Sequence, residues 1–324
     1  MTMLLITVDT ELSAALYQRG VGLEENLHRS IRGEVDGQRY GIEWQMTLME
    51  RHGLKGVFFL DPMPALLYGS GFLKPVVDAV AGRGHEIQLH IHSEWLRWAK
   101  ISPVGGRQGR NIGDFSLADQ TLLLGLGKSL LEEAGAPAIT AFRAGNFGAN
   151  DDTLRALAQV GIAWDSSVNP TYLGSDCAIS MDGLAGPRRT FGVTEIPVSG
   201  IADRPGRFRP AQICAMSAAE MRAGLRHAAR EQQAAFVVVT HSFEMLSRDR
   251  ARPNRAVMRR FERLCEEAQR LPGIRTGGFA DLAPSLDNDV PGFTLAQPSR
   301  TRTASRMVQQ LWANWRYERK LVPA

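Results

Sequence analysis

Asp9 and Glu11 stand two residues apart at the end of the apolar run LLITVDTE. His90 and His92 repeat that spacing in GHEIQLHIHSEW. On an extended chain, residues i and i+2 point to the same side, so each pair faces one space. Two same-facing imidazoles plus a carboxylate are a donor set for zinc or a similar divalent ion, with one position open to water. Glu94 is a reserve ligand. His241 follows the apolar run FVVVT, where an imidazole can give or take a proton near neutral pH. Arg143 is a charge on the apolar strand of FRAGNFGAN, costly unless paired, and Asp9 is its natural partner. Asp165 in WDSSV is a further strand-end carboxylate able to tune a histidine. Each residue has an ordinary alternative: a cap or loop acid for Asp9, a structural ion pair for Arg143, a packed or capping histidine for His241.

Positioning such groups requires strands. Candidate strands run over 4–8, 56–60, 86–91, 141–143, 162–165, 194–198 and 236–240, most of them continuously apolar as in parallel strands buried on both faces. Helix signals lie between them. Ser217 followed by Glu220 is a capping box opening a helix that ends near Gln233, and 116–135, 151–161 and 254–269 read as three more. Alternating strands and helices predict βαβ units, and seven repeats suggest a closed or nearly closed barrel. In such a barrel, carboxylates and imidazoles at the strand ends converge on one mouth. His85 begins its strand and belongs at the opposite end. Residues 13–39 lack sustained periodicity and read as a long loop over one barrel end. Gly145 and Gly148 suggest a tight turn where backbone approaches a ligand.

Composition narrows the chemistry. The net charge of +4 is carried by the tail: residues 299–324 contain six bases and one acid, leaving the rest at −1. A nucleic-acid partner is therefore not expected. Cys177, Cys214 and Cys265 are too few and too scattered for a disulfide framework or a metal clip. No apolar run reaches the ~18 residues of a membrane span, and the start lacks a signal-peptide pattern, so a cytoplasmic protein is expected. There is no GxSxG elbow, GxxxxGK[ST] loop or GxGxxG after a strand.

With these pieces in order, the chain resembles the polysaccharide deacetylases of carbohydrate esterase family four. The matching segments are TVDTE, GVFFLDP, GHEIQLH, FRAGNFG, DSS, EIPVS and VVTHS, within about residues 3–245. The resemblance implies a distorted (β/α)7 barrel over residues 1–285 and a metal-dependent hydrolase that removes acetyl groups from amino sugars. It implies Asp9 as general base, Arg143 holding it, His90 as first metal ligand and His241 as general acid. Where the family has adjacent aspartates, this chain has Asp9, Thr10 and Glu11, and where it has a second histidine four residues after the first, this chain has Glu94. Glu11 and His92 are accordingly the compensating ligands. Trp95 (or Trp98), Asn146, Phe147, Asp165 and Pro197 are the expected substrate contacts.

The expected activity is deacylation of an amino sugar or polysaccharide precursor, lipid-linked or nucleotide-linked, with a divalent metal, zinc first among them. A metal-free amidohydrolase or deformylase on the same barrel and a non-catalytic saccharide-binding barrel are the alternatives. Residues 286–324 read as a linker, 285–305, and a basic amphipathic tail. Met307, Val308, Leu311, Trp312 and Trp315 share one helical face, which either packs on the barrel or a second subunit, or lies against an anionic membrane surface. The Arg-rich run 248–255 is a solvated loop or a phosphate contact.

Overall fold

Seven runs that are apolar on both sides need cover on both faces, and all seven have it. The computed structural model describes residues 1–181, 186–204, 206–282 and 294–317. In it the runs are parallel strands β1 (Thr2–Thr10), β2 (Val57–Leu60), β3 (Glu86–Ile91), β4 (Ala141–Ala144), β5 (Trp164–Asp165), β6 (Val193–Glu195) and β7 (Ala235–His241). Their order is β7-β1-β2-β3-β4-β5-β6. A short strand Arg188–Thr190 runs antiparallel to β6, and Ile274–Thr276 pairs with the start of β1. Between β6 and β7 the chain closes part of the gap: Ser199 N–H donates to Val237 O (3.2 Å), and Val239 exchanges bonds with Ala211 and Ile213. The result is the expected distorted (β/α)7 barrel.

The two faces of β1 show how side-chain parity builds the site. Leu4, Ile6 and Val8 face outward into the core shared with the helices, while Met3 and Leu5 belong to a second core that includes Val57, Phe59, Val237 and Val239. Continuing the inward parity leads to Thr7 and Asp9 on β1, to Glu11 just past its end, and to His241 on β7. The same count leads to His90 on β3, between outward Leu89 and Ile91, and to His92 just past its end. A slip of one residue would turn every one of these groups away from the mouth.

Helices α1 (Ile42–Arg51), α2 (Leu73–Ala81), α3 (Leu117–Glu133), α4 (Asp151–Gln159), α5 (Ala218–Arg230), α6 (Arg255–Arg270) and α7 (Arg300–Tyr317) fill the connections. The capping box is formed: Ser217 Oγ accepts from Glu220 N–H, and Glu220 accepts from Ser217 N–H at 2.9 Å. Ser116, Asn150 and Asn254 cap α3, α4 and α6 with their side chains.

Two expectations need correction. Residues 13–39 are not one loop but short helices, Ala14–Gln18 and Leu23–Leu27, a wide turn His28–Arg32 and a small hairpin. Five-residue helices are too short to show a 3.6-residue repeat. Buried Asn26 ties them together by bonding the backbone N–H and carbonyl of Ser13, both at 2.9 Å. The linker is also shorter than expected. Residues 283–293 and 318–324, including Arg319 and Lys320, lie outside the described residues, but Ala296 bridges to Ile201 and α7 already begins at Arg300.

Candidate active site

The C-terminal ends of β1, β3, β4 and β7 surround a cavity of about 210 Å³ lined by Asp9, Glu11, His90, His92, Asn146 and His241, among others. Asp9 and His241 are direct register partners, as are His90 and Arg143. The strand ends thus bring together groups separated by more than two hundred residues.

Arg143 fixes the base. Its guanidinium has no solvent exposure and lies 4.3 Å over the Phe59 ring. Nη1 donates to Asp9 Oδ1 and to Thr7 Oγ1, both at 2.7 Å, while Nε and Nη2 donate to Ser166 O and Oγ at 3.1 Å. Burial pushes the Asp9 carboxyl up, but Arg143, with His90 and His241, outweighs it and holds Asp9 below the ordinary aspartate value. Arg143 occupies Oδ1. His241 Nε2 stands 3.8 Å from Oδ2.

His241 is oriented from behind. Its Nδ1 lies 2.8 Å from Glu244 Oε1, whose other oxygen accepts from Thr240 Oγ1, and Gln45 on α1 donates to the His241 carbonyl at 3.0 Å. Burial lowers the imidazole's affinity for its proton, but Glu244, Asp9 and Glu11 overcome this and raise its pKa to about 9. From the sequence Glu244 is either a loop acid or a group that orients His241, and its contact with Nδ1 is the second.

The candidate metal ligands also meet. His90 Nδ1 lies 2.7 Å from the Arg143 carbonyl, which can only accept, so Nδ1 carries a proton and Nε2 is the nitrogen turned toward Glu11. That Nε2 is 3.4 Å from Glu11 Oε2, and His92 Nε2 is 2.5 Å from the same oxygen. One ligand atom from each of the three lies within 4.8 Å of the others. Glu11 Oε2 is buried and faces the two imidazole nitrogens, so one carboxylate oxygen and two imidazole nitrogens converge on one point. Tetrahedral zinc with arms near 2.0–2.1 Å needs ligand separations of about 3.3 Å; Glu11 and His90 stand at 3.4 Å, and Glu11 and His92 stand closer than that. Burial raises the Glu11 carboxyl, but the charge and hydrogen bonds of His92 and His90 hold it well below the usual range, while Glu11 lifts His92 well above a free imidazole despite burial. Glu94 Oε2 lies 3.6 Å from His92 Nδ1, behind the cluster, and is not part of it.

One residue escapes the sequence reading. Asp61, one position past β2, is buried with Oδ2 unpartnered, and burial lifts its pKa to about 7 against the pull of His92 and His90. The parity of Val57 and Phe59, both inward, carried one step beyond the strand would have found it.

Asn146 and Phe147 line the cavity, and both hold left-handed backbone angles (φ 55° and 57°). Such strain in a phenylalanine is sustained only where the surroundings enforce it. Phe147 stacks on Tyr172 with centroids 5.5 Å apart. The flanking glycines serve the protein's own packing: a Cβ on Gly145 would lie 2.7 Å from Ile91 O, and one on Gly148 2.2 Å from Asn111. At the rim Arg110 pairs with Asp176 at 3.2 Å.

Three expected contacts are elsewhere. Trp95 is 1 % exposed in a cluster with Tyr17, Tyr68 and Trp98, too large and apolar to leave the core. Pro197 is buried between Ile196 and Val198 of the inner core. Asp165 is buried against Glu195, its register partner, and accepts from Ser167 Oγ at 2.6 Å. Burial raises both carboxyls, Glu195 most, so the pair holds a proton. His85, as expected, is structural: Nδ1 accepts from Gly56 N–H at 3.0 Å.

No family model and no curated protein sequence matches the chain. Among solved structures, a protein assigned as a polysaccharide deacetylase from Mycobacterium smegmatis has a TM-score of 0.55 at 17 % identity over 86 % of this chain and 87 % of its own. The α-amylase AmyC from Thermotoga maritima has 0.53 at 9 % identity, covering 99 % and 83 %. These likenesses establish the fold, and at that level the resemblance to polysaccharide deacetylases holds.

Proposed function

We propose that the protein is a metal-dependent hydrolase that removes an acyl group from the nitrogen of an amino sugar. The reading is carried by one observation: a Glu–His–His ligand set shares its cavity with an arginine-held aspartate and a carboxylate-backed histidine. The fold shared with an assigned polysaccharide deacetylase supports it.

Glu11, His90 and His92 would hold the ion, which when bound acidifies water and polarises the acyl oxygen. Asp9 is kept ionised and is the base; Oδ2 is the oxygen Arg143 leaves free to take a proton. Arg143 touches no substrate and acts by positioning Asp9. His241 holds its proton at neutral pH and offers it from Nε2, because Nδ1 is committed to Glu244. The leaving nitrogen needs that proton, since an unprotonated amide nitrogen departs poorly. Phe147 and Asn146 line the space left for the sugar. Residues 1–285 would form the catalytic unit, and the Arg-rich run contributes Arg250, whose guanidinium stacks 4.5 Å over Phe243 and donates to Ser30 Oγ.

A metal-free amidohydrolase is favoured by one feature, the close charged pair of Glu11 and His92. The two readings separate in one experiment. Acetate release from N-acetylated amino sugars is measured with zinc-loaded and chelator-stripped protein. Activity restored by metal and abolished by Asp9→Asn supports the first reading, and chelator-resistant activity the second. Full activity in a folded Asp9→Asn variant overturns both.

A further inference from the structure

Helix α7 is attached inside out. On a 3.6-residue wheel, Thr303, Arg306, Gln310 and Tyr317 share the face toward the barrel, and they make polar contacts. Arg306 is buried, bonding Asp203 at 2.9 Å and Glu220 at 3.0 Å. Gln310 donates to Ala215 O at 3.2 Å, and the Tyr317 carbonyl accepts from Arg248 N–H at 3.2 Å. The opposite face carries Met307, Val308, Leu311, Trp312 and Trp315, each more than half exposed. A surface helix ordinarily buries its apolar stripe. Here the ion pairs hold that stripe outward.

The described part of the helix carries charge of one sign, and the neighbouring loop 248–252 has three arginines to one acid, Asp249. Residues 294–317 contain no Asp or Glu, and Arg300 and Arg316 are exposed beside the apolar side chains. Arg252, also exposed, donates to the Arg316 carbonyl, so the loop after β7 extends the same basic zone toward the strand end that carries His241. A protein partner with an apolar patch would account for the stripe alone. An anionic lipid surface accounts for the stripe, the tryptophans and the arginines together, since such a surface takes up apolar and aromatic side chains while its headgroups pair with the bases.

We propose that α7 is a docking face for an anionic membrane surface, with the helix lying in the plane of the headgroups. The inference is independent of the reaction. No helix among the described residues is long and apolar enough to cross a membrane, so the contact is peripheral.

The test is flotation of the full chain with vesicles of phosphatidylglycerol and phosphatidylcholine, against phosphatidylcholine alone. The wild-type protein should bind the anionic vesicles and release in high salt. L311S/W312S, which alters two exposed positions and gives up one edge contact with Tyr317, should bind at least about tenfold more weakly while remaining folded and monomeric. R300Q/R316Q should lose about twenty-five-fold on anionic vesicles, given that each base near such a surface contributes roughly fivefold. Absence of wild-type binding, or equal binding by the wild type and both variants, overturns the proposal. So does a wild-type dimer in light scattering that L311S/W312S converts to monomer, which would give the stripe to a second copy.

Discussion

Removing the guanidinium of Arg143 tests whether the barrel mouth is held by charge or merely packed around it. In Arg143→Met, Asp9, 2 % exposed in the native protein, loses the one hydrogen-bond donor its carboxylate has among the described residues, and Thr7 Oγ1 and Ser166 lose theirs. An uncompensated buried carboxylate of this kind costs about 3–5 kcal/mol. At roughly 2–4 °C per kcal/mol for a domain of this size, the midpoint should fall by about 6–20 °C. Asp9→Asn should also destabilise, because it leaves Arg143 charged and buried. The double variant, neutral at both positions, should recover about 2 kcal/mol or more relative to the sum of the singles, since much of each single cost is the stranded partner. Urea denaturation of the four proteins gives the cycle. Additivity within about 0.5 kcal/mol would refute the pairing argument. All three variants should lose deacylation.

The remaining predictions follow from the same charges. The kcat/KM profile should be bell-shaped, with an acid limb below the ordinary aspartate value from Asp9 and an alkaline limb near pH 9 from His241; His241→Gln should abolish the alkaline limb along with most activity. For stability, the folded His241 value of about 9 lies above the unfolded ~6.5, so its contribution is complete below pH 6.5 and is lost as pH rises through 9, at most about 3 kcal/mol, read from urea midpoints. Asp165 and Glu195 act in the opposite sense to ordinary paired carboxylates: both are raised, so the folded state keeps a proton that the unfolded chain releases above about pH 4, and stability falls as pH rises from there toward neutral. Glu195→Gln, which keeps a hydrogen for Asp165, should flatten that fall at little cost near pH 5. Glu11→Gln and His90→Ala should each weaken zinc retention on dialysis by more than about 100-fold, measured by elemental analysis, without unfolding the barrel.

What the sequence made legible follows from periodicity. β3 is read to the residue, and the other six strands to within a few, because continuous apolar runs leave no other buried arrangement. Period two then determines which side chains share the mouth, so Asp9, Glu11, His90, His92, Arg143 and His241 could be assembled before any coordinates. Trp95 failed for the opposite reason: it lies in the turn Ser93–Trp98 beyond β3, where parity has ended and an aromatic cluster decides its direction. Asp61 was legible by the same count but sits past the last apolar residue of β2. The Asp165–Glu195 pair depends on a contact across the sheet, which no local pattern encodes, whereas Glu244 lies three residues after His241, close enough in sequence to orient it.

Helix α7 makes the strongest case that a pattern shows what a helix can do and only its neighbours show what it does. Its apolar stripe alone would turn inward, and burying five large side chains would contribute several kcal/mol. The barrel surface at that place offers Asp203 and Glu220 instead, and Arg306 is the one helix residue that satisfies both. Asp203 also holds Arg209 at 2.7 Å, so it is the fully buried Glu220 that would be left without a cation among the described residues, and its pairing with Arg306 favours the observed orientation. Arg306→Leu would remove that selection, and limited proteolysis of the variant should cleave the released helix faster than in the wild type. An unchanged cleavage rate would show that the outward stripe does not depend on these ion pairs.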